Sequence, residues 1–231
     1  VDLNRTVGSA SFSDAYVANM KNVNITNLAL ANTGTFPTDN YYLTPTTALS
    51  HGNIVPTNLD TANISMTATL TYGQSLSEII NPVYTQANPS IQYNVVNWLY
   101  NGIVSNTYIP KVNETGTIQA RIVRLLSGVI DSNYNSGIIS VSLTVSPKSI
   151  SVKDNAISIN DKTYDGGNSG TINWANTTTV SSDLFNGIVG NDVVDLNRTI
   201  IPQPIVTFTD VNVGPSKTVN ITNLALATGG D

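Results

Sequence analysis

Few residues in this chain could carry out catalysis. The only His, His51, has no acidic residue within several positions, and a general base on His usually needs a partner that orients it. Asp154, Asp161 and Asp165 lie close together in sequence, but Asp beside Asn and Gly more often ends a β-hairpin through local hydrogen bonds. We therefore favour turns over a calcium site or a pair of glycosidase acids, and we predict no enzyme and no catalytic residue.

Aromatic side chains are better candidates for ligand binding. Trp98, Tyr100 and Tyr108 lie close to amide side chains such as Asn101. An aromatic ring can stack on the C–H face of a sugar while amides bond its hydroxyl groups, so these four residues are the candidate carbohydrate site. For Trp98 the alternative, which we favour, is the core Trp of an immunoglobulin-like sandwich. Tyr100 and Tyr108 lie near predicted turns and are expected to be exposed.

The composition excludes several classes of protein. Only 11% of the residues are charged, the formal net charge is -5, and Cys is absent. A duplex-binding protein needs a basic face, a helical bundle needs periodic charged stripes, and a zinc site or a thiol enzyme needs Cys or several His. We therefore predict no metal, no cofactor and no nucleic-acid partner. No run of about 18 apolar residues predicts a membrane span.

Alternation of apolar and polar residues predicts strands almost throughout. The runs 63–72 and 138–145 alternate in this way, and clusters of Gly, Asn, Asp and Pro separate such runs at the spacing of sandwiches and small barrels. Only 75–80 and 181–185 are compatible with helical turns, each opening on a Ser that would cap it. The predicted fold class is all-β with low helix content. The apolar positions expected to share a face in the first run are Ile64, Met66, Ala68 and Leu70.

A long-period internal repeat is the most informative feature of the sequence. The hexapeptide 1–6 recurs at 194–199, and the nine residues 23–31 recur unchanged at 219–227. The offset between the copies is 193 residues at the first block and 196 at the second. Near-identity over such blocks indicates duplication rather than convergence on a common β pattern.

The repeat predicts three parts. Residues 1–53 should be the C-terminal part of one module, 54–147 a complete β domain, and 148–231 the N-terminal part of the next module. We expect the chain to represent about one period of an array within a longer protein. His51 should lie in a linker, since the polar segment 50–53 separates the first two parts.

The segment 148–231 resembles the YDG repeat of bacterial surface adhesins. It carries Tyr-Asp-Gly at 164–166 and a Gly-Asn-Asp element at 190–192. The middle segment resembles the mostly bacterial immunoglobulin-like (MBG) module of the same arrays, through 70–76, Trp98 and the strand 141–145. The further positions that match the YDG pattern are Phe208, Asp210, Val213, Gly214 and Lys217.

The resemblance also indicates a missing strand. The closing N-Y-x-L-T element of the YDG pattern stands at 40–44 in the first copy and has no counterpart in the second. The edge near 219–226 should therefore be unpaired, and we expect an N-terminal segment of the same chain or of a neighbour to complete it. In the first copy, Tyr41 and Tyr42 should alternate, one buried and one exposed.

Arrays of these modules resemble the cell-wall mucus adhesins of Gram-positive gut bacteria. The resemblance implies an immunoglobulin-like β-sandwich and a second small β module, with β-grasp (ubiquitin-like) as one fold for it. It also implies an extracellular chain, attached to the cell wall through other parts of the protein and without membrane insertion here. The implied partners are mucin glycoproteins or host-cell glycans, bound weakly by each copy, and neighbouring repeats. The alternative is a structural stalk that projects a distal binding domain.

Overall fold

The computed structural model describes residues 2–31, 41–86 and 88–227. The chain divides into two compact units, Val1–Leu70 with Gln74–Val145, and Thr71–Gly73 with Ser146–Asp231. In the described residues, the helical elements are one 3₁₀ turn and one short α-helix, and the remaining elements are strands. The all-β prediction is confirmed, whereas the immunoglobulin-like and β-grasp assignments and the three-part division stay predictions.

The first unit begins with a three-stranded antiparallel sheet. Its strands are β1 (Ser9–Phe12), β2 (Ala18–Thr26) and β3 (Ala48–Ile54), in the order β1-β2-β3. A bulge interrupts the pairing of β2 with β3 between Ala18 and Lys21. Bulges let a strand bend and leave the extra residues outside the ladder.

Two predictions for this segment are wrong. His51 lies in β3 opposite Asn22 rather than in a linker. An edge strand with a solvent-facing side tolerates the polar Ser, His and Asn that had indicated a linker. Tyr41 and Tyr42 do not alternate, because they lie outside any strand and are 62% and 86% exposed. The first residue of the 40–44 element, and Val1 of the first repeat block, lie outside the described residues.

The rest of the first unit is built on a seven-stranded sheet. The strand order is β6-β5-β12-β9-β7-β8, with β10 paired to β9, and β4 forms a short parallel ladder with β11. The antiparallel pairing of β7 with β9 and of β9 with β12 forms the centre of the sheet. The strands are β4 (Thr57–Asn58), β5 (Ser65–Thr71), β6 (Val83–Thr85), β7 (Gln92–Tyr100), β8 (Ile103–Val104), β9 (Ile118–Leu126), β10 (Val129–Ile130), β11 (Tyr134–Asn135) and β12 (Gly137–Ser146).

Alternating side chains of these strands form the core of the first unit. In β5, Met66, Ala68 and Leu70 are buried, and every residue between them is exposed. Ile64 packs against the same cluster, so the predicted apolar face is confirmed. A 3₁₀ turn at Leu76–Glu78 covers one end of the core and inserts the fully buried Leu76.

The second unit contains two small sheets. Strand β13 pairs with β15, and the other sheet has the order β14-β16-β17. A four-residue helix, α1 (Ser181–Leu184), leads into β15. Buried Leu184, Phe185 and Leu196 form the core, with Trp174 packed against it. The strands are β13 (Ser151–Val152), β14 (Ser169–Gly170), β15 (Phe185–Asn186), β16 (Ile205–Phe208) and β17 (Val219–Thr222).

The repeated blocks of the sequence fold alike. In the first copy β1 pairs with β2 so that Ser9 faces Thr26, and 196 residues later β16 pairs with β17 so that Ile205 faces Thr222. The positive backbone φ of Asn27, 55°, also recurs in the second copy, where the equivalent residue has 61°. The duplication therefore preserves register and backbone conformation as well as side chains.

Candidate functional site

Two of the predicted carbohydrate residues form a stacked pair in the first unit. Tyr100 ends β7 at a two-residue turn, Asn101–Gly102, in which both residues have positive φ (49° and 82°). This is the conformation of a type I′ hairpin turn, for which Asn-Gly is the favoured dipeptide. The rings of Tyr100 and Tyr108 stack with centroids 4.0 Å apart and planes at 17°. Both side chains are half-buried and pack against the core of the first unit, so the expectation that they are exposed is wrong.

Glu114 holds this Tyr pair in place. The Tyr108 hydroxyl donates to Glu114 Oε2 at 2.6 Å, and the Tyr100 hydroxyl lies 3.3 Å from Oε1. The backbone N–H of Gly116 donates to the same carboxylate at 2.9 Å. Burial acts to raise the pKa of Glu114, but these hydrogen bonds outweigh it and lower the pKa to about 2. Burial and the bond to Glu114 raise the pKa of Tyr108.

The other two predicted site residues have different environments. Trp98 is 6% exposed and lies in the core of the first unit, so the predicted core position is confirmed, whereas the immunoglobulin-like sandwich stays a prediction. Asn101 is exposed, and its side-chain oxygen accepts a hydrogen bond from the N–H of Thr117 at 2.9 Å. The structure thus brings Tyr100, Tyr108 and Asn101 to one end of β7, and ligand binding by the four residues stays a prediction.

A concave site lies within the second unit. It is a groove of about 610 Å³, whose walls include the loop around Tyr164 and the segment between β16 and β17. Tyr164 and Val213 are 64% and 86% exposed. Sequence reasoning did not find this groove, although the YDG-like positions 164, 208, 210, 213, 214 and 217 all line it.

The Tyr-Asp-Gly element forms a tight turn beside the groove. Gly166 has φ of 77°, and Asp165 Oδ1 accepts the N–H of Gly167 at 2.8 Å, so the predicted turn is confirmed. Lys162 Nζ lies 2.5 Å from Asp165 Oδ1 and donates to the carbonyl of Gly167 at 2.8 Å. The hydrogen bond from Lys162 is the main cause of the lowered pKa of Asp165.

A similar ion pair lines another part of the groove. Lys217 Nζ donates to Asp210 Oδ1, and the N–H of Asn212 donates to the same oxygen at 2.8 Å. The bond from Lys217 is the largest cause that lowers the pKa of Asp210. The first copy has the same arrangement, with Lys21 bound to Asp14. All these charges are paired, and the pairs hold the loops that carry them.

Searches of the described residues for a metal cluster and for a membrane-spanning helix gave no candidate. Nowhere in 2–31, 41–86 and 88–227 do three or more His, Asp or Glu side chains form a group that could hold a metal ion. In the same residues, no helix is long and apolar enough to cross a membrane.

Comparison with protein families gave a match in the C-terminal part of the chain. Residues 146–231 match the family model of the YDG domain. A YDG domain is therefore present in the C-terminal part of the chain, and it contains the Tyr-Asp-Gly turn and the groove. No curated protein and no solved structure matches the chain.

Proposed function

We propose that the chain is a repeat unit of a bacterial cell-surface adhesin that attaches to mucus or host glycans. The main support is the YDG domain at residues 146–231, because this domain resembles the repeats of surface adhesins. The second hairpin copy in the same chain supports a repetitive parent protein. In such a protein, many weak sites would bind a surface through their high effective concentration.

The Tyr100–Tyr108 pair is the proposed glycan-binding element of this unit. Its partly exposed rings lie next to the exposed amide of Asn101, and Glu114 fixes the rings so that binding would not have to order them. A pre-ordered aromatic surface loses little conformational entropy on binding. Weak affinity is expected, because a shallow surface of this kind buries only part of a sugar ring.

Binding of the 231-residue chain to immobilised mucin tests this proposal. Tyr100→Ala and Tyr108→Ala should each lower the bound amount several-fold, and Asn101→Gly should do the same while preserving the turn. Tyr42→Ala is the control, because Tyr42 is 86% exposed and lies outside the pair. Equal binding by all five proteins would contradict the assignment of the site, and absence of binding by every one would contradict adhesion through this unit.

A structural stalk is the second candidate function. The observation that favours it is that the Tyr pair already has its partners within the protein. Both hydroxyl groups bond to Glu114, and the two rings cover each other. A stalk unit would show no affinity for mucin at any surface density but would resist mechanical unfolding. Mucin binding at high density therefore separates the two functions.

A further inference from the structure

Two strands from opposite ends of the large sheet in the first unit approach each other without pairing. In the order β6-β5-β12-β9-β7-β8, β6 is the first strand and β7 is the last but one. Strand β8 pairs with β7 only at Leu99 and Tyr100, so the part of β7 around Tyr93 has no partner on that side among the described strands. The rings of Tyr84 in β6 and Tyr93 in β7 nevertheless have centroids 5.9 Å apart and planes at 41°. The two Tyr side chains therefore bridge a gap in the sheet.

A cavity of about 340 Å³ opens at this gap. It is lined by β7, by β6 and by the segment that leads from the 3₁₀ turn to β6. Ligand pockets usually measure about 300–1,000 Å³, so a cavity of this size fits one small ring rather than an extended chain. The aromatic and polar residues that line it are Ser77, Asn81, Tyr84, Tyr93, Asn94 and Trp98.

A bulge in β7 adds Trp98 to the lining of the cavity. Val96 is the extra residue of this bulge, because Val95 and Asn97 face consecutive residues of β9. One extra residue reverses the alternation of side chains along a strand. Trp98 consequently packs in the same core cluster as Tyr93. Since Trp98 is 6% exposed, it closes the cavity on the side of the core.

The hydroxyl groups of Tyr84 and Tyr93 have no hydrogen-bond partner among the described residues. Burial is the cause that raises the pKa of Tyr84 to about 12, and no hydrogen bond contributes to the raised pKa of Tyr93. In the Tyr100–Tyr108 pair, by contrast, both hydroxyl groups bond to Glu114. A buried Tyr hydroxyl usually bonds to a protein group, so two half-buried phenols beside a cavity are free to bond to a ligand.

The lining of the cavity indicates a neutral ligand. None of the described residues that line it is charged. Arg124 faces Tyr93 in the sheet, but its guanidinium lies 4.5 Å from the centroid of the Tyr134 ring and pairs with Asp131. Aromatic rings beside polar, uncharged groups can hold the C–H face of a sugar and bond to its hydroxyl groups.

We infer that this cavity binds one neutral hexopyranose ring through Tyr84 and Tyr93. The C–H face of the sugar lies against an aromatic ring, and the two phenol groups bond to sugar hydroxyl groups. The cavity shares no lining residue with the Tyr100–Tyr108 pair. It is therefore a site additional to the proposed glycan-binding element and does not depend on it.

Titration with methyl β-D-galactopyranoside and methyl α-D-glucopyranoside tests this inference. Trp98 reports binding by its fluorescence in a Trp174→Phe background, in which it is the sole Trp. Saturation-transfer NMR on the wild-type chain measures the same binding without this reporter. We expect saturable binding of at least one hexoside in the millimolar range, as for a ligand of this size. The anionic methyl β-D-glucuronide should bind several-fold more weakly, because no cation lines the cavity.

Two matched variants separate binding from folding. Tyr84→Phe keeps the ring but removes the hydroxyl group, so it should weaken hexoside binding several-fold. It should not lower the free energy of unfolding, because that hydroxyl group has no partner in the protein. Tyr42→Phe should bind as wild type does, since Tyr42 is 86% exposed and does not line the cavity.

Three results would overturn the inference. They are no saturable binding of either hexoside by both methods, equally tight binding by Tyr84→Phe and wild type, and equally tight binding of the glucuronide and the hexosides. Because the probes are single sugars, each result stands whether or not the chain captures mucin.

Discussion

Leu3 and Leu196 occupy equivalent positions in the two copies of the repeat, but only Leu196 is buried. Leu3 bridges to Leu30 and Leu196 to Leu226 in the same antiparallel manner. Leu3 is nevertheless 42% exposed, whereas Leu196 is 3% exposed. The difference arises because α1 and β15 contribute Leu184 and Phe185 to a core around Leu196. Identical local sequence thus produces different burial when the neighbouring elements differ.

Truncation of these two leucines should therefore have different effects. Leu196→Ala should lower the free energy of unfolding of the second unit by about 2–5 kcal/mol, as expected for a large-to-small change in a core. Leu3→Ala should cost less than about 1 kcal/mol in the first unit. Urea unfolding followed by fluorescence measures the first effect in a Trp98→Phe background, in which Trp174 is the sole reporter. Equal costs would contradict the assigned cores.

Gly166 and its neighbour Gly167 allow a second comparison of two matched substitutions. Gly166→Ala should destabilise the second unit by about 1 kcal/mol, because an L-residue is disfavoured at positive φ. Gly167→Ala is the control, since Gly167 is not among the positive-φ residues and its added Cβ would lie 3.4 Å from Asp165 Oδ1. Thermal unfolding of both variants measures the difference. A larger loss for Gly167→Ala would show that the positive φ of Gly166 does not determine the stability of the turn.

Gly116 is a second position where an added methyl group should destabilise the fold. A Cβ atom there would overlap the Tyr100 ring, so Gly116→Ala should displace the ring from Tyr108 and destabilise the first unit by about 1–3 kcal/mol. In Gly8→Ala the added Cβ would meet Leu28 at 3.7 Å, an ordinary contact. Near-ultraviolet circular dichroism should change for Gly116→Ala alone. An unchanged spectrum in that variant would contradict the stacked geometry.

Glu114 should make the first unit sensitive to acid. Because its folded pKa is lowered to about 2, its stabilising effect is present above the unfolded value, about 4.3, and is lost as the pH falls from there towards 2. Glu114→Gln should therefore be less stable than wild type at pH 6, with a difference that shrinks at pH 2. Urea unfolding in a Trp174→Phe background, with Trp98 as reporter, measures this. A difference that does not change with pH would contradict the hydrogen-bonded carboxylate.

The stability of the first unit should also fall as the pH rises above 10, and here the cause is a raised pKa rather than a lowered one. Burial and the hydrogen bond to Glu114 raise the pKa of Tyr108 above its ordinary value of 10. A raised pKa means that the neutral phenol stabilises the fold, and this contribution is lost as the pH rises above 10. Tyr108→Phe should remove that alkaline loss, as the same unfolding measurement would detect. A variant with the alkaline loss of wild type would contradict this role.

Alternation and capping residues predicted part of the structure correctly. Burial in β5 follows the sequence, since Met66, Ala68 and Leu70 face a core that requires apolar residues at every second position. Ser75 precedes the predicted turn, and its N–H and hydroxyl bond to Glu78. Ser181 is not the cap of α1. Its hydroxyl instead bonds to the backbone of Val194, 13 residues away, and local sequence does not indicate such a distant partner.

The sequence was less informative about the sites. No sequence motif indicated that Glu114 would bond to both Tyr hydroxyls: Tyr108 lies six residues away in the same loop, but Tyr100 lies 14 residues away at the end of β7. The groove depends on two loops more than forty residues apart in sequence, around Tyr164 and Val213. Its lining could have been suspected from the YDG-like motif positions, but their proximity follows from the pairing of β14 with β16. Tertiary pairing therefore determines both sites.

The central claim, that this chain is an adhesive repeat acting through many weak sites, is tested most directly by mucin capture at graded surface density. The 231-residue chain is attached to beads at increasing density, and soluble mucin bound per bead is measured beside Tyr100→Ala/Tyr108→Ala beads. Bound mucin should rise more steeply than in proportion to density, because neighbouring copies engage one mucin molecule together, and the double variant should lie well below wild type. Capture no higher than that of bare beads at every density would contradict the claim.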